Sequence, residues 1–141
     1  MGDHPGGLIL VVTGSTLRAE QMDRPLAYFL QKQIDELGDG HDERMALVIS
    51  DRYYLTHPDL HSLPTISVGG PGVNRLAQKL LKKLPAVLTV EGKFFIQMDP
   101  EEVVLRASIW GMDNPQTRIA VVTFAERYLP RFTALCWQGQ A

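Results

Sequence analysis

The chain predicts an α/β domain: a three-layer sandwich in which a mixed, mostly parallel sheet of about five to six strands carries helices on both faces. Three observations lead there. The runs Leu8–Thr13, Met45–Ser50 and Thr65–Val68 are short, apolar and rich in β-branched residues, the composition of strands buried on both faces. Amphipathic stretches of helical spacing lie between or after them. Each run ends in a glycine-rich or polar turn suited to a strand-to-helix junction.

At 141 residues the chain makes one domain over 1–141, long enough to bury roughly 70% of its unfolded surface without staples. A net charge of −2 argues against a general nucleic-acid binder. The single Cys136 excludes an internal disulfide and a cysteine zinc site, and reads as a core thiol. Residues 1–7 lack the basic start and long apolar run of a targeting segment. The apolar run Leu8 to Val12 is far below the ~20 residues that span a bilayer. A cytoplasmic domain with neither a membrane nor a nucleic-acid partner is the expectation.

In chain order, the strand 8–13 stops at the polar turn Thr13-Gly14-Ser15-Thr16. Residues 17–22 form an extra turn at most. Asp23 then stands as N-cap with Pro25 in the first turn of a helix. Leu26, Phe29, Leu30, Ile34 and Leu37 line that helix, and Gly38 supplies a left-handed C-cap. Residues 39–44 are a charged loop before the strand 45–50. Residues 52–63 read as irregular, with one helical turn at Pro58. The strand 65–68 runs into Gly69-Gly70-Pro71-Gly72-Val73-Asn74. The next helix places Val73, Leu76, Ala77, Leu80, Leu81 and Leu84 on one face and Lys79, Lys82 and Lys83 in solvent, and Pro85 ends it.

Residues 87–90 and 94–96 flank Glu91-Gly92-Lys93 as a hairpin. Val103 to Trp110 is a further strand, ending at Gly111-Met112-Asp113. Asn114 caps a helix with Pro115 at its first position. Ile119 to Leu129 is apolar almost all round, which predicts deep burial. Pro130 separates off a short last helix with Phe132, Leu135 and Cys136. Right-handed crossovers would bring the Thr13, Asp51, Gly69 and Gly111 turns to one sheet edge, outside the carboxyl ends of the strands, where open α/β sheets bind ligands.

The candidate ligand residues sit in those turns. Gly69, Gly70 and Gly72 let backbone N–H groups face a ligand at a helix start, an arrangement for a phosphate or carboxylate to which Asn74 adds an amide. A tight connection with Asn74 bonding the local backbone is the alternative. The run is neither G-x-x-x-x-G-K-[ST] nor G-x-G-x-x-G. Thr13, Gly14, Ser15 and Thr16 offer hydroxyls, which otherwise cap backbone groups. Asp51, Gly111 and Asp113 complete the set. Asp51 suits a sugar hydroxyl or an ion, and Asp113 alternatively favours the positive end of the following helix. His4, His41, His57 and His61 lack a metal-ligand spacing with carboxylate companions. A Ser15, His57 and Asp51 set can be assembled only on paper, and Trp110 lines either a pocket or the core.

Gly69-Gly70 after a strand, with Gly111-x-Asp113-x-x-x-Thr117 later, resembles bacterial cell-wall-binding repeats that carry G-G and G-x-D-R-x-x-T. Gly69-Gly70-Pro71-x-x-Asn74 is similar to segments of archaeal surface-layer proteins. The resemblance implies a structural or wall-binding role without catalysis. Asn114 stands where the repeats have Arg, and Pro115 where an aromatic is usual.

The function expected is binding of a small ligand, an anion or a phosphate-bearing molecule, without assigned catalysis and with the cofactor unspecified. A structural or protein-interaction module, homo-oligomeric in one version, is the alternative. A hydrolase or transferase using Asp51 or Ser15 ranks below both.

Overall fold

The structure, a computed structural model, describes residues 6–138. In order its elements are β1 (Leu8–Thr13), α1 (Leu17–Met22), α2 (Arg24–Leu37), β2 (Met45–Ser50), α3 (Asp51–Leu55), a 3-10 turn (Pro58–Ser62), β3 (Thr65–Val68), α4 (Arg75–Leu80), β4 (Ala86–Val90), β5 (Phe94–Met98), β6 (Arg106–Gly111), α5 (Asn114–Arg127) and α6 (Leu129–Cys136). The strands form one mixed sheet of order β2-β1-β3-β6-β5-β4. β2, β1, β3 and β6 are mutually parallel, while β5 runs antiparallel to β6 and β4 antiparallel to β5.

The two-residue period of a strand sorts the core. Ile9 and Val11 of β1 join a cluster with Leu26, Leu30 and Ile34 of α2, Phe124 of α5 and Phe132 of α6. Leu10 and Val12, pointing the other way, join Tyr54 of α3, Leu60 of the 3-10 turn, and Leu76 and Leu80 of α4. β1 is therefore covered on both faces, which is why its apolar run is uninterrupted rather than alternating. No helix among the described residues is long and apolar enough to cross a membrane.

Several expectations change on contact with the structure. Residues 51–55 are helical, not irregular, because the Ser50 hydroxyl accepts the Tyr53 N–H at 3.1 Å and opens α3. Gly38 closes α2 in a right-handed conformation with φ −67°. The left-handed residues are Asp39 and Gly40. Gly38 is needed instead for close approach, since a Cβ there would stand 2.4 Å from the Arg44 carbonyl oxygen. β6 begins at Arg106, not at 103, because the Asp99 carboxylate gathers the N–H groups of Glu101, Val103 and Val104 into a curl. Those bonds hold Asp99 below the usual carboxylate range.

The cap of α5 is Asp113, whose Oδ1 accepts the Gln116 N–H at 2.9 Å, and Asn114 is the first helical residue. α5 is buried on one side only, with Ile119 46% and Val122 39% exposed. α4 is short, and Leu81 lies beyond it in solvent. Residues 1–5 and 139–141, which include His4, lie outside the described residues.

Cys136 ends α6 against the first core cluster, and burial pushes its thiol up to about 12. Only the thiolate reacts quickly with disulfide reagents or alkylating agents. Ellman's reagent at pH 8 is expected to label the folded chain slowly and the denatured chain at once. Equal rates in the two states would show that Cys136 is not held in this environment.

Candidate functional site

The parallel register fixes where the turns lie. Thr13 pairs with Ser50 of β2 and Val68 of β3, and Val68 pairs with Ile109 of β6. The carboxyl ends of these four strands therefore share one edge. The Gly14–Thr16, Asp51, Gly69–Asn74 and Gly111–Asp113 turns emerge from it together. The strand order steps from β1 to β2 on one side and to β3 on the other, so β1 and β3 flank the topological switch point of the sheet.

Asn74 ties this edge together. It is 1% exposed. Its Nδ2 donates to the Val12 carbonyl at 3.2 Å, the Ser67 hydroxyl at 3.1 Å and the Val68 carbonyl at 3.0 Å. Its Oδ1 accepts the N–H groups of Leu76 and Ala77 and so caps α4. Asp51 is likewise 1% exposed and links two helix starts, since its Oδ2 accepts the Arg75 N–H at 2.8 Å and its Oδ1 the Arg52 N–H at 2.7 Å. The donors at the start of α4 are thus satisfied by the protein's own amide and carboxylate, and the Asn74 amide is wholly engaged in the frame.

Within the glycine turn, Gly69 N–H bonds Ile109, and the N–H groups of Val73 and Asn74 both bond the Gly70 carbonyl. The N–H groups of Gly70 and Gly72 take no hydrogen-bond partner among the described residues. Gly69 has φ +106°, the one member of the turn whose backbone demands glycine. Gly14 lies where a Cβ would run into the Val73 carbonyl oxygen, so the β1 turn and the glycine turn cross in backbone contact.

The second expected motif, Gly111-x-Asp113-x-x-x-Thr117, is a local clasp. The Thr117 hydroxyl accepts the Gly111 N–H at 2.9 Å and donates to the Asp113 carbonyl at 3.1 Å.

Pro71, Gly72 and Val73 form a ridge that divides the edge into two concavities. One, of about 510 Å³, is lined by Ser15, Thr16, Arg52, Gly72, Arg75 and Gln78, with Asp51 also contributing to its wall. The other, of about 350 Å³, is lined by Arg18, Asp23, Gly70, Trp110, Asp113 and Asn114. The expected residues are accordingly shared between two sites: Ser15, Thr16, Asp51 and Asn74 on one side, Gly70, Gly111 and Asp113 on the other, and Gly72 in both. Thr13, Gly14 and Gly69 line neither. Thr13 is fully buried with an unpaired hydroxyl. The Thr16 hydroxyl accepts the Ala19 N–H and caps α1.

Arg52, Arg75, Arg18 and Asp23 belong to these walls and were not assigned to the site from sequence, whereas Trp110, for which the sequence leaves a pocket or the core open, lines the second cavity. A usable signal existed for two of them: Arg52 and Arg75 each follow directly on a residue at a strand-to-helix junction. Neither guanidinium makes an ion pair among the described residues, where the ion pairs are His41–Glu43 and Arg131–Glu102.

Asp23 occupies the N-cap position of α2 but makes no capping bond. It is 6% exposed, and its carboxylate is turned toward the β3 and β6 ends instead. Oδ1 takes a long 3.4 Å bond from Asn114 Nδ2. Oδ2 lies where a Cβ on Gly69 would be 2.7 Å away, and takes no hydrogen bond among the described residues. Burial raises the Asp23 carboxyl above its ordinary value, and Asn114 and Arg18 offset part of that rise.

The histidines serve elsewhere. His57 Nδ1 bonds the Tyr53 carbonyl and His61 Nε2 the Tyr54 carbonyl, each ring stacked on the same tyrosine. Ser15, His57 and Asp51 are not linked by hydrogen bonds. Among the described residues no group of three His, Cys, Asp or Glu is arranged to hold a metal ion. No family model matches the chain, and no curated protein matches it.

Two stability tests follow from this geometry. Asn74→Ala leaves two α4 N–H groups and two buried carbonyls without a partner, and is expected to lower the unfolding free energy by about 3 kcal/mol in urea titration. A change within about 0.5 kcal/mol would remove Asn74 from its central position. Asp23→Asn keeps the shape and removes the desolvated charge. Because the folded value of Asp23 is raised, its contribution favours folding below the ordinary aspartate range and declines as pH rises through the folded value. Asp23→Asn is therefore expected to raise Tm by a few degrees at pH 7 and to flatten the fall in stability between mildly acidic and neutral pH. A lower Tm at pH 7 would show that the charge itself supports the fold.

Proposed function

We propose that the chain is a small-ligand-binding domain and that the concavity beside β1, β2 and β3 takes a phosphate-bearing anion. The frame for it is read as a three-layer sandwich, with α2, α5 and α6 on one face of the sheet and α3 and α4 on the other. One observation carries the reading. Arg52 and Arg75, whose guanidinium groups have no carboxylate partner among the described residues, line one cavity of about 510 Å³ with Ser15 and Thr16, at the switch point of a parallel sheet. Guanidinium is a planar, permanently charged donor that matches phosphate oxygens. The volume lies within the range of small-molecule sites.

The recognition is by side chains more than by a helix start, since Asp51 and Asn74 already occupy the donors of α4. The Gly72 N–H is one backbone donor on this wall without a partner among the described residues. A Cβ at Gly72 meets nothing within 4 Å, so the open space above it is available to a ligand. Asp51 closes the floor and fixes the starts of α3 and α4, which carry Arg52 and Arg75.

Calorimetric titration with inorganic phosphate, pyrophosphate and a nucleoside monophosphate at low ionic strength tests this. At least one is expected to bind, more weakly as salt rises. Arg75→Ala and Arg52→Ala are each expected to weaken it about tenfold, the worth of one hydrogen bond to a charged group. Absence of binding by all three anions, or unchanged affinity in both variants, would overturn the reading.

A further inference from the structure

The cavity on the far side of the Pro71–Val73 ridge has a different chemistry, and it stands independently of the anion reading. Its wall holds Asp23, a carboxylate more than nine-tenths buried. The right-handed backbone of Asp23, and Pro25 at the second helical position, leave its side chain no N–H to cap at α2, and one of its oxygens has no partner among the described residues. Burial of the residue disfavours its charged form, and Oδ2, which is not among the sealed unpaired atoms, stays open to a donor from outside the chain.

The rest of the wall narrows what the group is. The Gly70 N–H takes no partner among the described residues, and Arg18 adds a charged donor. Trp110 supplies an apolar surface, held in place by its Nε1 donating to Gln97 Oε1 at 2.8 Å and by stacking on Phe95 with centroids 4.4 Å apart. Arg18 faces the carboxylates of Asp23 and Asp113 across the cavity, and Asp113 already caps the start of α5, so charges of both signs line the wall. A neutral group that both donates and accepts uses Asp23 and the Gly70 N–H at once. Hydroxyls on a saturated ring do this, and their C–H face suits an indole.

We propose that this cavity binds a sugar ring, free or as part of a larger molecule, with Asp23 as the acceptor of a ring hydroxyl and Trp110 as its apolar wall. Binding is thereby assigned to a carboxylate that the fold does not otherwise use.

The two tryptophans allow a direct reading. Trp110 lines the cavity, whereas Trp137 is buried beside β1 with its Nε1 donating to the Gly7 carbonyl. In a ¹⁵N–¹H titration of the full chain with uncharged ribose, glucose and inositol, the Trp110 indole cross-peak is expected to move and saturate with at least one of them, and the Trp137 peak to stay. Asp23→Asn keeps the fold, as the dispersion of its spectrum will show, and is expected to weaken the interaction about tenfold. Arg75→Ala, on the other side of the ridge, is expected to leave it unchanged, so failure of the anion site and failure of this one are separately visible. No movement of the Trp110 peak with any of the three sugars, or equal affinity in Asp23→Asn, would overturn the proposal.

Discussion

The carboxyl edge of the sheet is held by one amide. Asn74 bonds the last residues of β1 and β3 with its donors and the first turn of α4 with its acceptor. A strand pair and the helix beside it are thereby set by a single buried side chain. Buried polar groups are expensive unless satisfied, so five bonds from one amide define one arrangement and penalise every other. Asp51 repeats the device one step outward by joining the starts of α3 and α4. The glycines serve the same end: Gly69 supplies the left-handed bend, and Gly14 lets the β1 turn pass against Val73.

This internal bracing decides what chemistry remains for a ligand. In many α/β proteins the helix start beyond a glycine turn is an open anion site. Here an internal carboxylate and an internal amide occupy it. In the proposed reading, recognition falls to side chains around the turn, which stands up as a ridge between two cavities. Those cavities differ in character because different helices wall them. Arg52 and Arg75 come from the starts of α3 and α4, whereas Asp23 and Trp110 come from the start of α2 and the end of β6.

Much of the frame was legible in the sequence. Apolar β-branched runs are a strong signal where a strand is covered on both faces, and β1, β2 and β3 lie where the sequence predicts them. The mixed sheet and the shared edge of the four turns follow from strand order and connection length. Legibility failed where one side chain overrode a local pattern. The Asp99 carboxylate coils Val103 and Val104 out of the strand that their β-branching favours. Ser50 starts a helix in a stretch whose composition looks irregular. Within the site, Gly111-x-Asp113-x-x-x-Thr117 was visible as a motif, but its bonds are all internal. The place of Arg52 and Arg75 after strand-to-helix junctions was readable, but a single Arg there does not show in sequence whether it lines a cavity or is merely solvated. Asp23 was assigned as a cap for a sound reason, and only tertiary structure shows the carboxylate turned elsewhere.

Asp51 and Asp23 differ in how their burial on this edge is accounted for. Both are buried aspartates close to the ends of strands. Asp51 has backbone N–H donors on both oxygens, and its burial is explained by the two helices it joins. Asp23 has one long bond, no cap, and a carboxyl raised by desolvation. The right-handed backbone of Asp23 and the proline at the second helical position leave it no N–H to cap, so its carboxylate is directed to the β3 and β6 ends instead. A desolvated charge at a cavity wall is a pattern shared by many binding sites. Under the proposal of a sugar site, it is this carboxylate, rather than the glycines that first draw attention to the edge, that meets the ligand.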